Sequence, residues 1–357
     1  MKLLYALNEA RPGTHQDIHR AAAHLRQAGD LEECEIYPFE FALANGQGAA
    51  EVADQILETA RRFEPTVILW SHTPNLPVPA AAISSLRQLS SRPVLGYADG
   101  DVYDTCKPVP QCVFELASRC DASFWSGYFR QLEALRRKGH DAMHYAPCHS
   151  DADTFGRTRT APPDFDVVMI GNRIRSRIPW RTWPGAVMRS RLAALFQRKL
   201  GRRFAVFGNG WTGPCAHGPV PFLEQGLTAH RGRITLGCNN IFCDYYFSNR
   251  LPIALTSGVF MVHNHQKELP RICGGMTCPI FFSSPGEAWE IVRWLLSRPQ
   301  EELDAQAAQA RAYALDHLTA ACWLRYVLQV LNAYREARLR GERPAVPSNP
   351  WIGEPLL

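Results

Sequence analysis

Tyr246-Phe247-Ser248-Asn249-Arg250-Leu251-Pro252-Ile253-Ala254-Leu255-Thr256-Ser257-Gly258-Val259-Phe260-Met261-Val262 is a helix start, a tight joint and a strand in immediate succession. Ser248 or Asn249 can cap the helix, which leaves backbone N–H groups aimed at an anion. Ser257-Gly258 ends the helix, and small residues at such a joint let a ligand come close to the backbone. Val259 to Val262 is an apolar run of strand length. One helix and one strand joined this way form the repeating unit of an α/β sheet.

The same alternation extends in both directions. Lys2 to Leu7 is an apolar run followed by a polar, Pro/Gly-containing turn, and Gln16 to Gln27 has helical spacing closed by Gly29. A strand at Cys34 to Tyr37, a helix at Ala49 to Arg62 and a buried strand at Thr66 to Trp70 follow. Further on come a helix at Ala80 to Leu89, a strand at Pro93 to Tyr97, a helix at Cys112 to Ala117 and a short strand at Ala122 to Trp125. Tyr128 to Lys138 reads as helix and His144 to Ala146 as the last strand of this half. Such an order predicts a parallel sheet covered on both faces.

Asp151 to Asp164 is polar, has a proline pair and lacks periodicity, which suits a linker. A second α/β series opens at Asp166-Val167-Val168-Met169-Ile170-Gly171. It continues with a helix at Arg189 to Leu200, a strand at Phe204 to Gly208, the quoted stretch, and a helix at Pro285 to Leu296. Two long helical patterns, Glu301 to His317 and Cys322 to Arg338, close the fold. The expected domains are 1–155, a linker at 156–165, a second domain at 166–320, a crossover helix at 321–340, and a tail at 341–357 lying on the surface. Doubly wound halves take ligands at the carboxyl ends of their strands, in a cleft between the halves.

At 357 residues, 46% hydrophobic and 20% charged, the chain is ordinary globular material with room for two cores. No apolar run reaches membrane-spanning length. Eleven scattered cysteines read as reduced thiols of a cytoplasmic protein, and the pairs Cys238/Cys243 and Cys273/Cys278 as buried thiols rather than a zinc site. Val167 to Leu223 has no Asp or Glu but ten Lys or Arg; since the whole chain is +5 and this block +10, the rest is −5. A field this one-sided suits a polyanion, either a diphosphate or a nucleic acid along Arg173 to Arg203. Arg198 to Arg203 reads as a solvated helix end.

The turns after the strands carry the candidate chemistry. Gly171-Asn172-Arg173, with Arg175 and Arg177, offers backbone amides and guanidinium forks to phosphate oxygens. Gly208-Asn209-Gly210-Trp211 could let a base or sugar lie on the chain, with Trp211 stacking on it. In the first half, Asp99 is the first candidate for a general base, with His72 and His15 beside it; Thr14 and Asp101 sit on the same kind of turn.

Ser248-Asn249-Arg250-Leu251, Ala254-Leu255 and Ser257-Gly258-Val259-Phe260 resemble the "S-D-R-L-F-E-A-L-A-S-G-G-F" signature of the spore-maturation (CgeB-like) glycosyltransferases. Asp166 to Asn172 is similar to that family's "D-x-x-F-V-G-N", and Gly208 to Trp211 to its "G-x-G-W". Ser283 to Tyr313 resembles its closing helices, and Tyr97 to Asp101 sits at its acidic turn. The resemblance covers most of the chain and is densest from 166 to 335. It implies a GT-B fold of two Rossmann-like domains, with the C-terminal helix packing back on the first. It also implies a nucleotide-sugar donor, UDP-sugar first, held by Gly171, Asn172, Arg173, Arg175, Gly208 to Trp211, Ser248 to Arg250, Ser257 and Gly258, with no metal required. The family's ribose-binding glutamate falls on Ile253, which accepts no hydrogen bond. The acceptor is then a glycan, protein or small molecule. The alternatives are DNA with a hydroxymethylated base, as in a phage enzyme, and a degenerate binding module. An epimerase or phosphorylase would share the architecture.

Overall fold

The computed structural model describes residues 1–104, 106–174 and 182–353. Arg175, Arg177 and Arg181 lie outside the described residues. The chain divides into two compact units, Met1–Pro147 with Ala320–Leu357, and Cys148–Thr319.

The first unit holds six parallel strands: β1 (Lys2–Leu7), β2 (Glu33–Pro38), β3 (Val67–Ser71), β4 (Val94–Asp99), β5 (Ala122–Trp125) and β6 (Met143–Tyr145). Their order is β2-β1-β3-β4-β5-β6. Between them run α1 (Gln16–Gln27), α2 (Phe39–Ala44), α3 (Ala49–Phe63), α4 (Ala80–Arg87), α5 (Gln111–Arg119) and α6 (Leu132–Arg137). β1, β3 and β4 are almost wholly buried because helices cover both faces of the sheet.

The second unit opens with α7 (Ala152–Phe155), inside the segment expected as linker. Asp151 caps it, its Oδ1 accepting from the Asp153 amide at 3.2 Å. Five parallel strands follow: β7 (Phe165–Ile170), β8 (Phe204–Phe207), β9 (Gly232–Gly237), β10 (Phe260–Asn264) and β11 (Ile280–Phe282), in the order β11-β10-β9-β7-β8. The helices are α8 (Pro184–Leu200), α9 (Gln225–His230), α10 (Arg250–Thr256), α11 (Leu269–Ile272), α12 (Pro285–Leu296) and α13 (Gln300–His317). β9 is central, yet its sequence, Gly-Arg-Ile-Thr-Leu-Gly, hides it among polar residues. A Cβ on Gly232 would stand 2.9 Å from Val168, so glycine allows the close approach of β9 to β7.

The last helix, α14 (Ala320–Arg340), belongs to the first unit and packs on its sheet. Gly96 of β4 makes room for it: a Cβ there would meet Leu331 at 2.9 Å. The segment beyond Gly341 is exposed or half-buried as far as Ser348, as expected, and is then anchored. Asn349, Trp351 and Ile352 are buried, with Asn349 Nδ2 donating to the Tyr145 carbonyl at 2.8 Å and to Tyr326 at 3.0 Å. Two aromatic edges, Trp351 against Tyr145 and Tyr326, supply the apolar anchor that proline-rich composition concealed.

Candidate functional site

In the second unit the strand order reverses between β7 and β9, the position at which doubly wound sheets take ligands. Gly171 leaves β7 at φ +154°, with Arg189 beneath it: a Cβ would lie 3.2 Å from that guanidinium. Gly208 leaves β8 at φ +139°, and a Cβ there would come within 2.5 Å of the Gly171 carbonyl. Only glycine fits both places. The two turns are then laced together. The Arg173 amide donates to the Asn209 carbonyl at 2.8 Å, and the Asn209 amide to Asn172 Oδ1 at 2.9 Å. Trp211 Nε1 donates to the Gly171 carbonyl at 2.6 Å, and the Arg173 guanidinium sits 5.7 Å from the Trp211 ring. Gly171, Asn172, Arg173, Gly208, Asn209, Gly210 and Trp211 therefore form one assembly at the carboxyl edge. In it the indole N–H of Trp211 is a strut.

Behind these turns stand two arginines with no carboxylate partner among the described residues. Arg189, on α8, is 2% exposed and donates to the Asn172 carbonyl at 2.8 Å and to the Cys238 carbonyl, which joins the ends of β7 and β9. Arg250 opens α10, and its side chain has no hydrogen bond or ion pair among the described residues. Burial, with the charge of Arg250, lowers the Arg189 pKa to about 10; burial also lowers that of Arg250. His263, 1% exposed on β10, is pushed down to about 4 by burial and by both arginines. Its Nδ1–H donates to the Asn264 carbonyl at 2.8 Å. A buried cation such as Arg189, with half-buried Arg250 beside it and no counter-ion among the described residues, is costly, and a bound anion removes that cost.

Arg250 and Ser248 sit at this edge, but not for the expected reason. Asn249 is the helix boundary in an αR conformation and makes no side-chain cap, and Ser248 Oγ is buried without a partner. The loop is held instead by fully buried Asn239. Its Oδ1 accepts from the Ser248 amide at 3.2 Å, and its own amide donates to Asn264 Oδ1 at 2.8 Å. Ser257 and Gly258 are placed elsewhere. Seven-residue α10 runs back to the amino ends of the strands, roughly 10 Å away. There Ser257 Oγ donates to the Ile253 carbonyl, its carbonyl accepts from His230, and Gly258 lies under Arg311. The joint serves packing, at the opposite edge from Gly171.

In the first unit Asp99 ends β4 instead of following it, and it is fully committed. Its Oδ1 accepts from His72 Nδ1 at 2.9 Å and from the Asp101 amide at 2.9 Å. Its Oδ2 accepts from Tyr97 at 2.7 Å and Tyr103 at 2.8 Å. A carboxylate with four donors, 3% exposed, has no lone pair to offer a substrate. It orients His72, which follows β3 at φ +36°, a strained angle for an L-residue. Burial raises and the His72 bond and charge lower the pKa of Asp99, with the net direction downward; for His72, burial lowers but the Asp99 bond and charge with Asp101 raise it, with the net direction upward. Neutral His72 then carries its free lone pair on Nε2, 3.6 Å from Asp101 Oδ2. His72, Asp99 and Asp101 lie close enough to suggest a metal site. Lys107 pairs with Asp101, and hydrogen-bond donors already occupy both oxygens of the Asp99 carboxylate.

His15 is the N-terminal boundary of α1, on the loop after β1. Buried Glu9 organises that loop, accepting from the His15 amide at 2.7 Å, the Gly13 amide at 3.2 Å and His19 Nε2 at 3.1 Å. The His15 ring is half-exposed, 3.8 Å from Asp17. Glu9, like Arg189, Asn239 and His263, escaped sequence reading because burial rather than spacing defines its role.

Residues 181–329 match a family model described as glycosyl transferase-like. HepE from Anabaena, solved with UDP and glucose, is 13% identical over 93% of this chain and 99% of that one, with a TM-score of 0.57. AviGT4, a glycosyltransferase involved in avilamycin A biosynthesis, is 15% identical over 95% and 98%, with a TM-score of 0.57. A glycosyltransferase from Rickettsia africae is 10% identical over 93% and 98%, with a TM-score of 0.60. The fold is GT-B, that of these solved glycosyltransferases. No curated protein matches it in sequence.

The basic block of this chain is not one surface among the described residues. Arg173 and Arg189 stand at the carboxyl edge, whereas α8, roughly 25 Å long, carries Arg198, Lys199, Arg202 and Arg203 to the other end. There Arg203 pairs with Asp166 at 2.7 Å and Lys199 lies 5.5 Å from the Trp289 ring. No helix among the described residues is long and apolar enough to cross a membrane.

Proposed function

We propose that the chain is a glycosyltransferase that moves a sugar from a UDP-sugar to a hydroxyl of a glycan, protein or small-molecule acceptor, as a relative of the spore-maturation branch. The observation that carries the donor assignment is the pair Arg189 and Arg250, uncompensated at the strand-order reversal of the segment that matches glycosyl transferases. A diphosphate supplies the missing anion; the guanidinium groups of Arg250 and Arg173 are the groups that hold it. HepE, a structural neighbour, was solved with UDP and with UDP-glucose, which supports uridine as the base.

In this reading His72 Nε2 takes the proton of the acceptor hydroxyl. The acceptor oxygen bonds to the sugar's anomeric carbon as the bond from that carbon to the diphosphate breaks. Asp99 is a positioning residue that fixes the His72 tautomer and steadies the imidazolium. The arginines stabilise the leaving UDP, which is the task a divalent ion performs elsewhere, so no metal is required. Eleven free cysteines favour a reducing compartment, the cytoplasm.

The test is a thermal-shift and UDP-release screen with UDP-, GDP- and ADP-sugars against an acceptor panel. UDP-sugars should raise the melting temperature, and UDP should appear only when an acceptor is present. Equal indifference to all three donor classes counts against the proposal.

A further inference from the structure

Two hydrogen-bond acceptors stand side by side on the first unit. Neutral His72 Nε2 and Asp101 Oδ2 are 3.6 Å apart, beyond hydrogen-bond reach of each other. One buried oxygen registers both: Asp99 Oδ1 accepts from His72 Nδ1 at 2.9 Å and from the Asp101 amide at 2.9 Å. From the other side Lys107 pairs with the Asp101 carboxylate. Lys107 is itself set on a turn, where its amide donates to Asp104 Oδ1 at 2.8 Å. An ionised carboxylate offers about four lone-pair sites, so one lysine leaves Asp101 able to accept more. The His72 and Asp101 side chains are 26% and 40% exposed, whereas that of Asp99 is closed off, so both acceptors are open to a substrate.

We propose that Asp101 is a specificity-determining residue that restricts the acceptor to vicinal diols, and so to a sugar or another polyol. Hydroxyls on adjacent carbons of a pyranose ring, in gauche relation, can each donate to one member of a pair of acceptors this close. One hydroxyl gives its proton to His72 Nε2 as its oxygen bonds to the anomeric carbon and the bond from that carbon to the diphosphate breaks. Its neighbour keeps its proton, donates a hydrogen bond to Asp101 and so fixes the reacting oxygen against the base. A serine side chain or a phenol brings a single hydroxyl and leaves Asp101 unused. This inference rests on the reading above, in which His72 is the base.

The test is UDP release from UDP-glucose and UDP-N-acetylglucosamine in wild type, Asp101→Asn and Asp101→Ala. The acceptors are methyl gluco-, galacto- and mannopyranosides, a serine-containing peptide and cyclohexanol. Wild type should use a pyranoside and neither single-hydroxyl acceptor. With the pyranoside that reacts best, removing the hydroxyl beside the glycosylated one should lower kcat/KM about tenfold to hundredfold, the worth of a charge-assisted hydrogen bond. In Asp101→Ala that penalty should vanish while UDP affinity by calorimetry stays as in wild type; a merely structural role would slow both acceptors alike. Asp101→Asn, nearly isosteric and with its backbone bond to Asp99 intact, keeps the comparison open if the alanine variant does not fold, and its penalty should fall to about threefold. Equal penalties in wild type and variants, or turnover of cyclohexanol or the peptide as fast as a pyranoside, overturn the diol requirement. UDP binding without transfer to any pyranoside overturns it too and leaves the donor reading standing. A wild type that binds no UDP at all overturns the donor reading, and the diol requirement with it.

Discussion

His72 Nδ1 stands 2.9 Å from Asp99 Oδ1, and Asp99 is held by three further donors while His72 keeps Nε2 free of hydrogen bonds to the described residues. In the proposed mechanism the burial and saturation of the carboxylate leave the basic role to the imidazole. His72→Ala should therefore lower kcat by roughly 10²–10⁴-fold with a small change in melting temperature. Asp99→Asn should cost activity and also stability, about 1–3 kcal/mol, because an amide NH₂ would face two tyrosine hydroxyls. If His72→Ala retains near-wild-type kcat, the base lies elsewhere.

The same pair sets the pH dependence. The Asp99 bond and charge outweigh burial and raise His72 above the ordinary 6.5. A base works unprotonated, so kcat/KM should rise with pH through a midpoint above 6.5, and Asp99→Asn should move that midpoint down. A midpoint at or below 6.5 in wild type contradicts the assignment.

Acid should destabilise the fold through histidines that do no chemistry. His263 and His144 take protons only near 4 when folded, against 6.5 when unfolded. Between these values the unfolded chain binds more protons. Their stabilising contribution is complete above 6.5 and falls as pH drops towards 4, by roughly 3 kcal/mol for each at full expression. Burial pushes His140 and His230 in the same direction. Urea midpoints at pH 7.5 and 5 measure the slope; equal midpoints would count against it.

Gly208→Ala should cost about 2–4 kcal/mol and weaken UDP binding together, since its Cβ would strike the Gly171 carbonyl at 2.5 Å, backbone against backbone. Gly139→Ala, also at positive φ but with nothing within 4 Å, should cost only about 1 kcal/mol. Chemical denaturation of both variants compares the two; equal losses would deny the tight turn its special role.

Much of this was legible in the sequence. Apolar runs such as Thr66 to Trp70 and Val259 to Val262 announce strands because parallel strands are buried on both faces. Gly171 and Gly208 announce turns because backbone must approach backbone. β9 was missed because two glycines and an arginine interrupt its pattern. Ser257-Gly258 was misplaced because a motif shows spacing but not the direction in which α10 carries the chain. Asp99 read as a base because sequence shows a carboxylate and not the four donors folded around it. The charge run from Arg173 to Arg203 suggested a nucleic-acid partner beside a diphosphate, with Arg198 to Arg203 set apart as a solvated helix end; α8 does separate the two ends.

The central claim, that Arg250 stands where a diphosphate binds, is tested most directly by calorimetric titration of UDP into wild type and Arg250→Met. Micromolar to millimolar binding by wild type, weakened at least about tenfold in a variant that still folds, is the expected result, since a charge-assisted contact is worth about 1.5–3 kcal/mol. Unchanged UDP affinity in Arg250→Met would contradict it.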